Sequence, residues 1–232
     1  MSEEPKRTYT VVSVHDETPR VRTLEIVPSA PVSRRAGQFI NVFFPEPSVP
    51  EGKAYSISSA PHEEKLAITV KAMGTFSNRL SSMRSGDSFL GSEPYGFFYS
   101  EETSTPLVML AVGIGITPFR SLILEHLRDA PQRDILLCYG NRTKADIIFY
   151  DEWRRTQERH PSFRVAYFLS REDDAECEKG RMDAPRVLAF SRLESTEFML
   201  CGSIAFVRDL WRGLRAGGVP EDRIYTEAFF TN

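Results

Sequence analysis

The stretch from Leu107 to Arg120, LVMLAVGIGITPFR, constrains the fold of this chain more than any other. Its apolar run ends at Gly113-Ile114-Gly115. Thr117-Pro118 then opens a pattern with apolar Phe119, Leu122, Ile123 and Leu127. A continuous apolar run suits a strand buried on both faces, and the later spacing suits a helix with one buried face. Pro118 fits a first helical turn, where its missing N–H costs nothing. A strand, a glycine turn and a helix start gather free backbone N–H groups and about half a positive charge at one point, which is a place for a phosphate. The usual dinucleotide fingerprint has a third glycine where Pro118 stands, and an acid about twenty residues on. Here the second strand runs instead into Gly140-Asn141-Arg142. On this stretch alone, a tight turn without a ligand stays open.

The rest of the chain changes rhythm once. Short strand-like segments at 9–14, 21–27, 38–44, 54–58, 66–71 and 88–90 are punctuated by Pro31, Pro45, Pro47, Pro50, Pro61 and Gly86. A short helix is expected over 77–83. Six strands at this spacing predict a small antiparallel β-barrel. The polar segment Ser100 to Pro106, SEETSTP, marks a boundary, giving domains at 1–100 and 101–232. Beyond it, apolar strands at 107–112, 135–139, 164–169, 198–201 and 224–226 alternate with helical stretches at 118–128, 146–158, 184–190 and 204–215, the last ending at Gly217-Gly218. That alternation predicts an α/β domain, a parallel sheet with helices on both faces.

Composition narrows the function classes. A net charge of −3 argues against nucleic acid as a general partner. No apolar run approaches the roughly 18 residues of a membrane span. The first nine residues are too polar for a signal peptide, so a cytoplasmic protein is expected. Cys138, Cys177 and Cys201 are too few and too scattered for a disulfide framework, a zinc site or an iron–sulfur cluster, and no metal is expected.

Two stretches in the barrel half carry chemistry-bearing side chains. Lys53-Ala54-Tyr55-Ser56-Ile57-Ser58-Ser59 places a cation, an aromatic ring and hydroxyls along an extended segment, with Lys53, Tyr55 and Ile57 on one side and Ala54, Ser56 and Ser58 on the other. Gly74-Thr75-Phe76-Ser77-Asn78-Arg79-Leu80 gives a glycine turn and hydroxyls at a helix start. Each alone is equally a surface strand and a helix cap.

Taken in order, these pieces resemble the ferredoxin–NADP reductase-like flavoprotein family over nearly the whole chain. KAYSISS is similar to its flavin motif, GTFSNRL to its flavin-phosphate loop, and Pro94-Tyr-Gly-Phe-Phe98 to the segment closing its barrel domain. GIGITP matches its nicotinamide-dinucleotide turn, where proline replaces the third glycine. YGNRTKADIIFYDE and CGSIAF (Cys201 to Phe206) resemble two further signatures. Lys53 departs from the pattern, which has arginine there; lysine lacks the planar fork that grips phosphate oxygens.

The resemblance implies FAD, held at Lys53, Ala54, Tyr55 and Ser56 and at Gly74, Thr75, Phe76 and Ser77. It implies a nicotinamide cofactor with its pyrophosphate on Gly113, Gly115, Thr117 and Pro118, near Asn141 and Arg142. Cys201 and Gly202 would border the nicotinamide. Ser170, Arg171 and Arg181 would meet the extra phosphate of NADPH, with NAD possible; a solvated charged loop is the alternative, since Glu172, Asp173 and Asp174 follow directly. Phe229 or Phe230 would lie over the flavin or seal a domain interface. Ser56, Cys201 and Glu227 are the candidate catalytic residues. Electrons would pass to a separate ferredoxin, flavodoxin or oxygenase component, with Arg34, Arg35, Arg79 and Arg84 as docking candidates. The alternatives are a reductase of free flavin or another small acceptor, and a non-catalytic flavin-binding subunit.

Overall fold

Two hydrogen-bonded sheets organise residues 6–44, 52–190 and 195–229, which this computed structural model describes. Pro45, Pro47, Pro50 and Phe230 lie outside the described residues. The chain forms two compact units, Met1–Phe97 with Arg120–Glu125, and Phe98–Phe119 with His126–Asn232.

The first unit contains β1 (Arg7–Thr18), β2 (Val21–Pro28), β3 (Phe39–Phe43), β4 (Lys53–Ser56), β5 (Leu66–Lys71) and β6 (Ser88–Gly91). They pair antiparallel in the order β4-β3-β6-β1-β2-β5. Ile57 bridges Ile68, and the Ser58 N–H donates to the Ala67 carbonyl at 2.8 Å, so the two outer strands meet and the sheet closes into the expected barrel. Alternate side chains point inward: Tyr9 and Val11, Leu24 and Ile26, Ile40 and Val42, Ile68 and Val70 share one core. The Tyr9 hydroxyl, carried into that core, donates to the Ser92 carbonyl at 2.8 Å. The helix α1 (Thr75–Ser81) adds Phe76 and Leu80 to the core.

The second unit contains β7 (Leu107–Val112), β8 (Ile135–Asn141), β9 (Phe163–Leu169), β10 (Glu178–Lys179), β11 (Glu197–Ser203) and β12 (Ile224–Phe229), all parallel, in the order β10-β9-β8-β7-β11-β12. Its helices are α3 (Tyr150–Arg159), α4 (Ala184–Ala189) and α5 (Ile204–Ala216), with both ends of α2 (Thr117–Asp129), whose middle residues Arg120–Glu125 group with the first unit. Val108, Leu110, Leu136, Cys138, Phe198 and Leu200 pack with Val187 of α4 and with Val207, Leu210 and Leu214 of α5. The residues between them in sequence face the other way, where Trp153 of α3 sits 6.0 Å from the Phe163 ring. Helices therefore cover both faces, as expected for a sheet with so little polar surface.

Local differences from the expected elements have local causes. The helix expected from residue 146 begins at Tyr150, because Lys144–Asp146 forms a 3-10 turn and Phe149 takes a left-handed φ of 61°. The short barrel helix starts two residues earlier than expected, at Thr75. β10 was not expected at all: two exposed residues, Glu178 and Lys179, carry no hydrophobic pattern.

Where β8 and β11 begin, a charged cluster is buried. Arg133 Nη2 meets Glu197 Oε2 at 2.7 Å, with side chains 0% and 9% exposed. Arg133 also donates to the Thr105 carbonyl, and Glu197 accepts from Ser100 and Tyr225. His126 lies against Arg133, and burial together with that guanidinium pushes its pKa down from 6.5 to about 4. The folded ring is thus neutral where the unfolded ring is already protonated. Stability should fall as pH drops from 6.5 towards 4 and level off below, by on the order of 3 kcal/mol. Urea midpoints at pH 7 and pH 4.5 should differ strongly for the natural protein and little for His126→Gln; equal losses in both would assign the acid sensitivity to another group.

Candidate functional site

In the second unit the sheet order reverses direction between β7 and β11, the position at which open parallel sheets take ligands outside the strands' carboxyl ends. Both strand ends are built of glycine there. Gly113, at a φ of 53°, starts a 3-10 turn over Gly113–Ile116 that runs straight into α2. Thr117 is the first residue of this 13-residue helix and Pro118 the second. The Thr117 hydroxyl donates to the Ile114 carbonyl at 3.0 Å, closing the turn. A Cβ on Gly115 would lie 2.2 Å from the Cys201 carbonyl oxygen, and one on Gly202 would lie 2.5 Å from Val112. Only bare backbone lets these two strand ends approach. The result is a helix N-terminus beside a strand end lined by backbone rather than side chains, which fits a pyrophosphate.

Cys201 and Glu227 are cross-strand neighbours on β11 and β12, as are Gly202 with Ala228 and Ser203 with Phe229. The candidate residues Cys201, Gly202, Glu227 and Phe229 therefore share one corner of the sheet. Cys201 is fully buried, and burial reinforced by the Glu227 charge drives its thiol pKa well above the usual value. It is a neutral thiol at physiological pH, not a nucleophilic thiolate.

The loops after β8 and β9 are stitched together by their backbones. The Ser170 N–H donates to the Asn141 carbonyl at 3.0 Å and the Arg171 N–H to the Arg142 carbonyl at 2.9 Å. The pairing of Lys179 with Leu169 brings in Arg181, whose carbonyl accepts from Arg186. Asn141, Arg142, Ser170, Arg171 and Arg181 thus gather at the carboxyl ends of β8 to β10. The loop's acids are engaged elsewhere: Asp174 and Glu176 with Lys144, Asp173 with Lys179, Glu178 with Arg186, and Glu172 with the Lys144 backbone N–H. Among the described residues, Arg142, Arg171 and Arg181 are exposed and none forms an ion pair.

In the first unit, Lys53 and Ala54 are exposed on β4, Tyr55 is half-buried and Ser56 buried. The Tyr55 ring stacks on Phe76 of α1 at 6.2 Å and 20°, so the KAYS and GTFS stretches touch. Burial raises the Tyr55 phenol and keeps it neutral. Phe44 also packs on Phe76, with ring centroids 4.8 Å apart, and the Arg79 guanidinium lies 4.0 Å over the Phe44 ring. Phe44 was not expected beside these stretches, because its contacts with Phe76 and Arg79 depend on folding rather than spacing. The Ser77 hydroxyl is turned inward, accepting the Met73 and Gly74 N–H groups at 2.9 and 3.0 Å. Its capping role leaves backbone N–H groups and the Thr75 side chain to face an anion. Gly74 is extended, at a φ of −157°, and a Cβ there would meet nothing within 4 Å. Neither backbone strain nor packing demands glycine at 74; close approach of a phosphate group fits the space. Arg34 is half-buried: its guanidinium donates to the carbonyls of Ala60 and Glu63 at 3.0 and 2.8 Å and holds that turn.

The two glycines differ in a way stability can read. Gly115→Ala should destabilise the fold by about 3 kcal/mol or more, because backbone must move. Gly74→Ala should cost less than about 1 kcal/mol, the scale of a helix-cap change. Similar denaturation midpoints for the two variants would contradict the close approach at Gly115.

Comparison with known proteins follows the same two halves. Residues 109–211 match the family model described as an oxidoreductase NAD-binding domain. The chain is 29% identical to a flavohemoprotein of Chromobacterium violaceum over 96% of its own length and 60% of that protein's. It is 28% identical to ferredoxin–NADP reductase B of Sorangium cellulosum, covering 84% of each chain. The solved ferredoxin NADP+ reductase of Neisseria gonorrhoeae, with bound FAD and NADP, superposes with a TM-score of 0.83 at 27% identity, over 98% of this chain and all of that one. The chain spans 52% to 66% of the length of three curated relatives it matches. With the closed barrel, the glycine crevice and these likenesses together, the chain carries an oxidoreductase NAD-binding domain and is similar along its length to the ferredoxin–NADP reductase-like family of FAD- and NAD(P)-binding oxidoreductases.

Proposed function

We propose that this protein takes electrons from NADPH and passes them, through non-covalently bound FAD, to a separate one-electron acceptor such as a ferredoxin, a flavodoxin or an oxygenase component. A bound flavin supplies the conversion between paired and single electrons that no side chain offers. The barrel domain, 1–100, serves as the flavin domain and 101–232 as the nucleotide domain. Lys53 and the N–H groups at the start of α1 hold the flavin's phosphates, while Tyr55 offers a neutral aromatic face and Ser56 a hydroxyl. The Gly113–Pro118 turn receives the pyrophosphate of the nucleotide. Cys201 and Gly202 form the floor at the nicotinamide end, and the neutral thiol places no negative charge there.

The observation that carries the choice of NADPH is the charge pattern after β9. Five acids there are held by lysines, Arg186 or a backbone N–H, which leaves Arg171, Arg142 and Arg181 to face a phosphate. Arginine presents two parallel donors to such a group. The likeness to the ferredoxin–NADP reductases supports the same direction.

An anaerobic titration tests the reading. NADPH should bleach the yellow, FAD-loaded protein, and Arg171→Ala should weaken NADPH binding roughly 10- to 150-fold while NADH changes little. Absence of bleaching would make the protein a binding module. Equal losses with both nucleotides would remove Arg171 from the 2′-phosphate. If reduced protein passes electrons to free flavin as fast as to any ferredoxin or flavodoxin, the small-acceptor reading replaces the protein-acceptor one.

A further inference from the structure

Tyr139 is fully buried, yet its hydroxyl joins three separate stretches of the second unit. It donates to the Gly113 carbonyl at 2.8 Å, across 26 residues of chain. It accepts the Ile148 N–H at 3.4 Å, and Ile148 is itself held by the Trp153 indole, which donates to its carbonyl at 3.0 Å. The Asn141 side chain lies against the same hydroxyl, with Nδ2 buried and without a hydrogen bond of normal geometry. Burial keeps the phenol protonated, so it remains a donor.

Gly113 is the one residue of the turn with a positive φ, and as a glycine it can rotate its following peptide at little cost. In a trans peptide the C=O and the next residue's N–H point in opposite directions. Fixing the Gly113 carbonyl inward, onto a buried hydroxyl, therefore turns the Ile114 N–H outward. The geometry points to Tyr139 as a positioning residue that locks the Gly113–Ile114 peptide so that its N–H faces the pyrophosphate of the nicotinamide nucleotide. This rests on the reading that the Gly113–Pro118 turn holds that pyrophosphate. Because NADPH and NADH share the pyrophosphate, loss of the lock affects both alike, unlike loss of Arg171.

Tyr139→Phe keeps the ring and removes the hydroxyl. In the FAD-loaded protein it should raise the KM for NADPH and for NADH by the same factor, roughly 5- to 30-fold, the effect of one or two lost hydrogen bonds. The kcat at saturation and the FAD content should stay unchanged. Inhibition by ADP and by adenosine should also be compared in both proteins. This ratio is read only on folded protein and is insensitive to partial unfolding. ADP should outcompete adenosine in the natural protein and lose most of that advantage in Tyr139→Phe. If ADP keeps its full advantage in the variant, the turn binds pyrophosphate without Tyr139 and the assignment is overturned. If ADP has no advantage even in the natural protein, the pyrophosphate reading of the turn fails and takes the assignment with it. A variant that only melts earlier, with both KM values unchanged, would show Tyr139 to be a packing residue.

Discussion

The close approach of two strand ends governs the second unit. Gly115 sits so near the Cys201 carbonyl that a single methyl group would overlap it at 2.2 Å. That contact is possible because β7 and β11 are adjacent and parallel while the chain leaves them towards different helices, α2 and α5. The place proposed for the nucleotide's pyrophosphate follows from it. The helix N-terminus of α2 is brought beside the end of β11, the glycines leave backbone rather than side chains as the lining, and Cys201 is sealed as a neutral thiol beneath.

Charge is sorted along the strand direction of the same sheet. At the amino ends, Arg133 and Glu197 are buried and satisfied by one another and by Thr105, Ser100 and Tyr225. A buried pair of this kind adds little net stability, but removal of one partner is costly, so it ties the 98–106 segment to the sheet. At the carboxyl ends, Lys144, Lys179 and Arg186 absorb the acids, and three exposed arginines are left over. Exposed ion pairs contribute at most about 1 kcal/mol each. Their consequence here lies in which cations they leave unpaired.

Much of this was legible from residue order. The apolar runs at β7, β8, β9 and β11 announce buried parallel strands, and the six motifs announce the family, because each is a contiguous piece of backbone whose chemistry needs specific neighbours. What could not be read is non-local. The two exposed residues of β10 form a strand only because β9 is already there. Whether Arg171 is free depends on Lys144 reaching Asp174, thirty residues away in sequence. Arg34 looks like a surface charge until its guanidinium is seen to hold the carbonyls of residues 60 and 63. Tyr139 reads as one more apolar position of β8 until its hydroxyl is found on Gly113. Positive φ at Phe149, which delays α3, has no marker in composition either.

Hydrogen exchange of the FAD-loaded protein, with and without NADP+, tests the central claim most directly. The account predicts slowed exchange at the amides of Ile114, Gly115 and Thr117, at Gly202 and Ser203, and at Ser170 and Arg171, with no change around Arg133 and Glu197. Protection centred on the amino ends of the strands, or absent from residues 113–117, would contradict it.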